Sequence, residues 1–189
     1  MFFRVHSTLV LGVAAILFGC NVEAISRFAG SCPKLDAVSF FNPNVFKGEW
    51  FEYGSFFPIF DSINRCTKFT FSDPTFGVMK LDISGKNMLN FQMETRSGTA
   101  AVTGSSGTLS MTFPSLAPFP SQYLILGTDY ASWAVLWTCQ ERPSDNIQNV
   151  IILTRQQAPP QFTVNSALRN IDSNSLSRFN FKPVDQSYC

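Results

Sequence analysis

Short runs in which apolar and polar side chains alternate recur along this chain, and each ends at a glycine, a proline or a small polar cluster. In Val78 to Ile83, Met79, Leu81 and Ile83 share one face while Lys80 and Asp82 share the other. Leu109, Met111 and Phe113 are likewise opposed by Ser110 and Thr112. A period of two is the signature of a strand with one buried face. Thr67 to Phe71 alternates and is stopped by Ser72-Asp73-Pro74, and the aromatic-rich Gly48 to Phe57 is broken by Pro58. Met88 to Thr103, with Phe91 and Met93 on one face, reads as a further strand before Gly104 to Gly107 turns the chain. Tyr123 to Leu126, Ala134 to Cys139 and Val150 to Thr154 bring the number to eight, with Phe113 to Pro120 as a long loop. Eight short strands at hairpin spacing predict an antiparallel barrel or sandwich. After Arg155 the texture changes: Pro159-Pro160 leads into a short helix over Thr163 to Ile171, capped at or near Thr163. An extended tail runs from Leu176 to Cys189.

The first residues are expected to lie outside this fold. Arg4 precedes an apolar stretch, Leu9 to Phe18, and the small residues Val22 and Ala24 place a signal-peptide cleavage after Ala24. That stretch is too short to span a bilayer as a helix. Leu17-Phe18-Gly19-Cys20 also resembles a bacterial lipoprotein box with Cys20 as the lipid carrier, a resemblance that Phe18 weakens. Residues 25–189 then form one domain. Removing Arg4 and Glu23 leaves thirteen basic and twelve acidic residues with no basic run, so no footprint for nucleic acid is present. Twenty Phe in the whole chain suit either a Phe-rich core or a cavity with aromatic walls.

Four cysteines remain beyond the leader: Cys32, Cys66, Cys139 and Cys189. Behind a signal peptide they read as two disulfides with three connectivities open, in a secreted, extracellular protein. The sole histidine, His6, falls in the leader. Its loss removes Ser-His-Asp and Cys-His nucleophile activation and imidazole-ligated metal, so no metal site is expected. The carboxylates are few and scattered, and Gly104-Ser105-Ser106-Gly107 lacks the Lys of a phosphate loop. A non-enzymatic role follows as the expectation.

Lys47-Gly48-Glu49-Trp50-Phe51-Glu52 resembles the first signature of the lipocalins, G-x-W followed by an aromatic residue and Glu. Cys32-Pro33 and Phe40 to Phe46 sit where that family carries its Cys-Pro and pre-barrel segment. Thr128-Asp129-Tyr130 matches the second signature, Leu153-Thr154-Arg155 the third. Asp185-Gln186-Ser187-Tyr188-Cys189 resembles the closing D-Q-x-x-C of the apolipoprotein D, insect bilin-binding protein and crustacyanin branch. The resemblance spans residues 32–189; its one departure is a helix after Arg155 that is shorter and less charged than usual in the family. It implies an all-β fold, an eight-stranded antiparallel up-and-down barrel with one short C-terminal helix.

Further implications concern particular residues. Trp50 would plug the narrow end beneath the Arg155 guanidinium, Gly48 would let the entering chain pass close by, and Thr128, Asp129 and Tyr130 would fix a tight turn at the same end. Cys32 would pair with Cys139, and Cys66 with Cys189. Each bridge closes a loop for which chain-entropy models give about 4 to 5 kcal/mol. Aligned on the signatures, Phe69 and Phe71 of one strand, Met79, Leu81 and Ile83 of the next, and Leu109 and Met111 of a third face inward. Tyr123, Leu136, Ile151 and Leu153 complete the expected wall of a ligand site, with Tyr123 as its one polar handle.

The open end would be framed by Phe56-Phe57-Pro58-Ile59-Phe60 and by Leu116, Phe119 and Pro120, as a ligand portal, a membrane-touching lip or a partner patch. Neither run is charged, which favours flat, apolar ligands such as a bilin, carotenoid, retinoid or sterol over a fatty acid. Binding and transport or sequestration of such a ligand is the leading expectation. No cofactor is required, although a bound chromophore or lipid is compatible. The alternative is a barrel packed solid, acting through its aromatic rim in a homodimer or pigment assembly as crustacyanin subunits do. A lipid-modifying enzyme with a free Cys66 or Cys139 as nucleophile is a third reading.

Overall fold

The computed structural model describes residues 27–116 and 119–189, so the expected leader and Cys20 lie outside the described residues. Eight antiparallel strands make the barrel: β2 (Gly48–Ser55), β3 (Ile63–Phe71), β4 (Val78–Asn87), β5 (Met93–Val102), β6 (Thr108–Thr112), β7 (Ser121–Thr128), β8 (Trp133–Glu141) and β9 (Asp145–Thr154). Each pairs with the next in sequence, and β9 pairs with β2 to close the sheet. Closure removes the free edges that an open sheet would expose. A short β1 (Arg27–Ala29) adds to β9, and β10 (Lys182–Pro183) adds to β2. Helix α1 (Pro43–Phe46) leads into the barrel, and α2 (Gln161–Ser173) follows it.

The inward faces of all eight strands meet in one buried cluster running from Phe46 and Trp50 at one end to Phe60 and Phe113 at the other. A second cluster lies outside the barrel wall, where Ala167 and Ile171 of α2 pack on Leu126, Val135, Trp137, Val150 and Ile152. Close docking of this helix depends on Gly127, because a Cβ there would lie 2.3 Å from the Asn170 side chain. The shorter helix therefore keeps a docking face of small and branched residues. Two bridges tie the ends down: Cys32 to Cys139 on β8, and Cys66 on β3 to the terminal Cys189.

Several boundaries differ from expectation. The strand expected from Met88 begins at Met93, because residues 88–92 form the turn between β4 and β5, with Phe91 at φ 58° and 64% exposed. Asn87 builds that turn: its Oδ1 accepts the Leu89 N–H, and its backbone N–H bonds the Gln92 carbonyl. Phe91 and Met93 therefore share no buried face. The strand expected from Val150 already starts at Asp145, since β9 pairs with β8 over its whole length through polar residues such as Asn146 and Gln148. The helix begins at Gln161 after Pro160, with no side-chain cap, and Thr163 is a buried helical residue facing the barrel. Proline at the N-cap has no side-chain acceptor, and its carbonyl accepts the N–H groups of Thr163 and Val164.

Each disulfide spans more than a hundred residues, 107 and 123. Replacing Cys66 and Cys189 together by Ser is expected to lower unfolding stability by about 2 to 4 kcal/mol. Urea unfolding of the variant beside the oxidised parent measures this, and an unchanged midpoint would refute it.

Candidate functional site

The closed end is built around one arginine. Arg155, just after β9, lies over the Trp50 indole with its Cζ 3.7 Å from the ring centroid. Its Nε donates to the Tyr130 carbonyl at 3.2 Å, Nη1 to Glu49 at 2.8 Å, and Nη2 to Val45, Phe46 and Lys47 at 3.0–3.2 Å. Five carbonyls of three chain segments thus converge on one planar fork, which a lysine could not serve. Burial lowers the guanidinium pKa, and the Asp129 carboxylate raises it in part. Trp50 completes the floor by donating Nε1–H to the Phe46 carbonyl at 2.8 Å. Gly48 takes φ +96°, and a Cβ there would stand 3.4 Å from Arg155 Nη1.

Thr128, Asp129 and Tyr130 form the β7–β8 turn. Asp129 Oδ1 accepts N–H groups of Ala131, Ser132 and Trp133 at 2.7–3.1 Å. Burial alone would raise its pKa, but the Ser132 hydroxyl and those three amides hold it below the usual carboxylate range. Thr128 Oγ1 donates to the Trp133 carbonyl and accepts from the Tyr130 N–H. Tyr130, at φ 62°, turns its hydroxyl to accept the Asn42 N–H. The turn, α1 and Arg155 are therefore one hydrogen-bonded unit.

Above this floor, Phe69, Phe71, Met79, Leu81, Ile83, Leu109, Met111, Tyr123, Leu136, Ile151 and Leu153 all belong to the interior cluster. Ten of them are at most 2% exposed, so in this conformation the side chains fill the barrel. The mouth is shut by Phe60 and Phe113, whose rings meet edge to face with centroids 5.1 Å apart. The expected exposed frame at Phe56 to Phe60 is thereby corrected. Phe60 turns into the barrel, while Phe56 is buried in the outer cluster and packs near Phe28. Leu116 and Phe119 do stand in solvent, and Leu89 and Phe91 of the β4–β5 turn join them as exposed apolar residues at the open end. A groove of about 800 Å³ opens beside the β2–β3 loop between Pro58, Asn64, Ile147 and Pro183. It lies outside the barrel, and none of the expected wall residues lines it.

Tyr123 is not the sole polar group inside. Glu52 alternates with Trp50 on β2, pairs with Leu153 and is 2% exposed. Burial pushes its carboxyl up to about 7, partly offset by a hydrogen bond from Ser55. Burial likewise raises the Tyr123 phenol, and the Glu52 charge adds to that rise. The signal for Glu52 was present in its spacing from Trp50: two residues on, a strand returns to the same face.

No family model matches the chain. It is 24% identical over 188 residues to Lazarillo protein of Schistocerca americana, covering 95% of this chain and 87% of that protein. Apolipoprotein D of Macaca fascicularis is also 24% identical, over 96% of this chain and 95% of its own. Among solved structures, insecticyanin of the tobacco hornworm Manduca sexta superposes with a TM-score of 0.75 at 19% identity, covering 87% of this chain and 91% of that one. Lobster apocrustacyanin A1 gives 0.73 at 16%, covering 87% and 93%.

Two predictions follow from the floor and the buried acid. Arg155→Met should cost about 2 to 3 kcal/mol by orphaning carbonyls around Trp50, and Arg155→Lys should restore less than half; urea unfolding followed by Trp fluorescence tests both, and equal stability of the three proteins would refute them. Glu52, raised in the folded state from an ordinary 4.5 to about 7, favours folding most below pH 4.5 and loses that contribution as pH rises through 7. The loss amounts to on the order of 3 kcal/mol, and Glu52→Gln should flatten this part of the stability–pH profile. A slope that survives the substitution would assign it to other groups. The closed eight-stranded barrel is the lipocalin fold, and along nearly its whole length the chain is similar to Lazarillo protein and apolipoprotein D.

Proposed function

We propose that this chain is a lipocalin that binds a small hydrophobic ligand in its barrel and transports or sequesters it outside the cell. The observation that carries this reading is the interior itself: a mainly apolar wall rising from Trp50 and stopped at the mouth by two loop side chains, Phe60 and Phe113. Entry requires those rings to rotate outward and the flexible Met79 and Met111 to repack, a motion that unbranched thioethers accommodate well. Apolar burial at about 25 cal/mol per Å² then supplies the affinity. A bilin, carotenoid, retinoid or sterol suits the wall, and the name apolipoprotein D of one relative supports a lipid. The two disulfides support an oxidising, extracellular setting, and they also occupy Cys66 and Cys139, the thiols that a lipid-modifying activity would use.

A second reading has one specific observation in its favour: the near-complete burial of every wall residue. A barrel that stays filled would act through the exposed Leu89, Phe91, Leu116 and Phe119, pairing with a second copy or touching a membrane.

Native mass spectrometry with absorbance, on protein from its own source, separates the two. A bound mass of a few hundred daltons is expected. Protein that is ligand-free and takes up no bilin, retinoid, carotenoid or sterol would overturn the carrier reading and favour the filled barrel. Removing the gate by Phe60→Ala should accelerate retinol uptake in stopped-flow fluorescence, at about 3 kcal/mol in stability. An unchanged rate would place entry elsewhere.

A further inference from the structure

Polar groups inside the barrel are gathered in one place. The β2–β3 pairs, Trp50 with Phe69 and Phe51 with Lys68, end there, and Glu52 and Thr67 are the next residues of the two strands. From outside, Gln186 Nε2 clamps the same two residues, donating to the Glu52 carbonyl at 3.0 Å and to that of Thr67 at 2.9 Å. Thr67 is 2% exposed, and its Oγ1 is buried without a hydrogen-bond partner. Tyr123 reaches the same region from β7, close enough to feel the Glu52 charge. An unpartnered hydroxyl beside a desolvated carboxyl is costly in an apolar interior, and such a group calls for a missing partner.

The partner that would satisfy the hydroxyl and also draw Glu52 into its ionised form is one that brings donors with positive charge. On β3 the neighbouring cations are turned outward, Lys68 to Glu49 and Arg65 to Asp185. On the other side of Glu52, β9 presents Leu153 and Ile151. Among the described residues, then, Tyr123 is the ionisable group facing Glu52, and the chain offers its buried carboxylate no cation. A ligand carboxylate would set two like charges together, and a hydroxyl brings one donor. A protonated amine brings three donors, matching the three acceptors of Glu52, Thr67 and Tyr123. The adjoining Phe69 ring adds an aromatic wall that favours a cation.

We propose that Glu52, Thr67 and Tyr123 form a head-group subsite selecting apolar ligands that carry a primary amine, with Glu52 as the counter-ion. The inference rests on the carrier reading above. Its test is calorimetric titration of the disulfide-intact protein at pH 7 with three probes sharing one chain: octylamine, 1-octanol and octanoate. Octylamine is expected to bind at least about ten-fold more tightly than 1-octanol, as a charge-assisted pair would give. Glu52→Gln should bring octylamine down to the level of 1-octanol, and Thr67→Val should give a smaller loss. If 1-octanol or octanoate binds the parent protein as tightly as octylamine, the subsite is overturned while the carrier reading stands. Amine selectivity that survives Glu52→Gln overturns the counter-ion role. Failure of all three probes to bind counts against subsite and carrier alike.

Discussion

Everything in this molecule depends on closing the sheet, and where β9 meets β2 the seam is capped by Arg155. Pairing β9 with β2 brings the end of the last strand beside the start of the first, where the guanidinium lies on Trp50 and gathers carbonyls from α1, the start of β2 and the β7–β8 turn. Among those carbonyls, that of Phe46 also accepts the Trp50 indole N–H, so the guanidinium and the indole share an acceptor. One planar cation thus satisfies the ends of several segments at once and fixes which end of the barrel has a floor.

With the floor set, the polarity of the barrel follows. Side chains above Trp50 pack in layers, and the far end is left to loops of unequal character. The β2–β3 loop folds Phe60 inward against Phe113, whereas the β4–β5 and β6–β7 loops leave Leu89, Phe91, Leu116 and Phe119 in solvent. The interior is therefore open to change only at the mouth. The buried Glu52 is a liability to the empty protein, because burial disfavours its ionised form near neutral pH. A group that weakens the fold while facing a largely apolar interior is in keeping with the head-group role proposed for it.

How the sequence relates to this structure differs from element to element. Alternation in Val78–Ile83 and Leu109–Phe113 announced strands because one face is buried in a barrel and the other is wet. The turn at Asn87–Gln92 was hidden, since Met88, Leu89 and Phe91 look like strand residues and only the Asn87 side chain reveals the reversal. β9 was cut short because Asn146, Gln148 and Asn149 are buried in hydrogen bonds, including Asn149 to the Phe57 backbone and Gln148 to the Trp137 indole. Polarity there does not mean exposure.

The sequence by itself determined the fold class, the floor residues and the facing of the strands that alternate cleanly, β5 excepted, because those depend on spacing within a strand and on a few distinctive side chains. Only the tertiary structure decided what fills the barrel. Whether Phe56 or Phe60 turns inward depends on the path of a loop, and burial of the whole wall depends on how eight strands converge. Glu52 and Thr67 come together from two strands under the Gln186 side chain, and Tyr123 comes from β7. None of these relations is local along the chain, so no pattern of neighbouring residues encodes them.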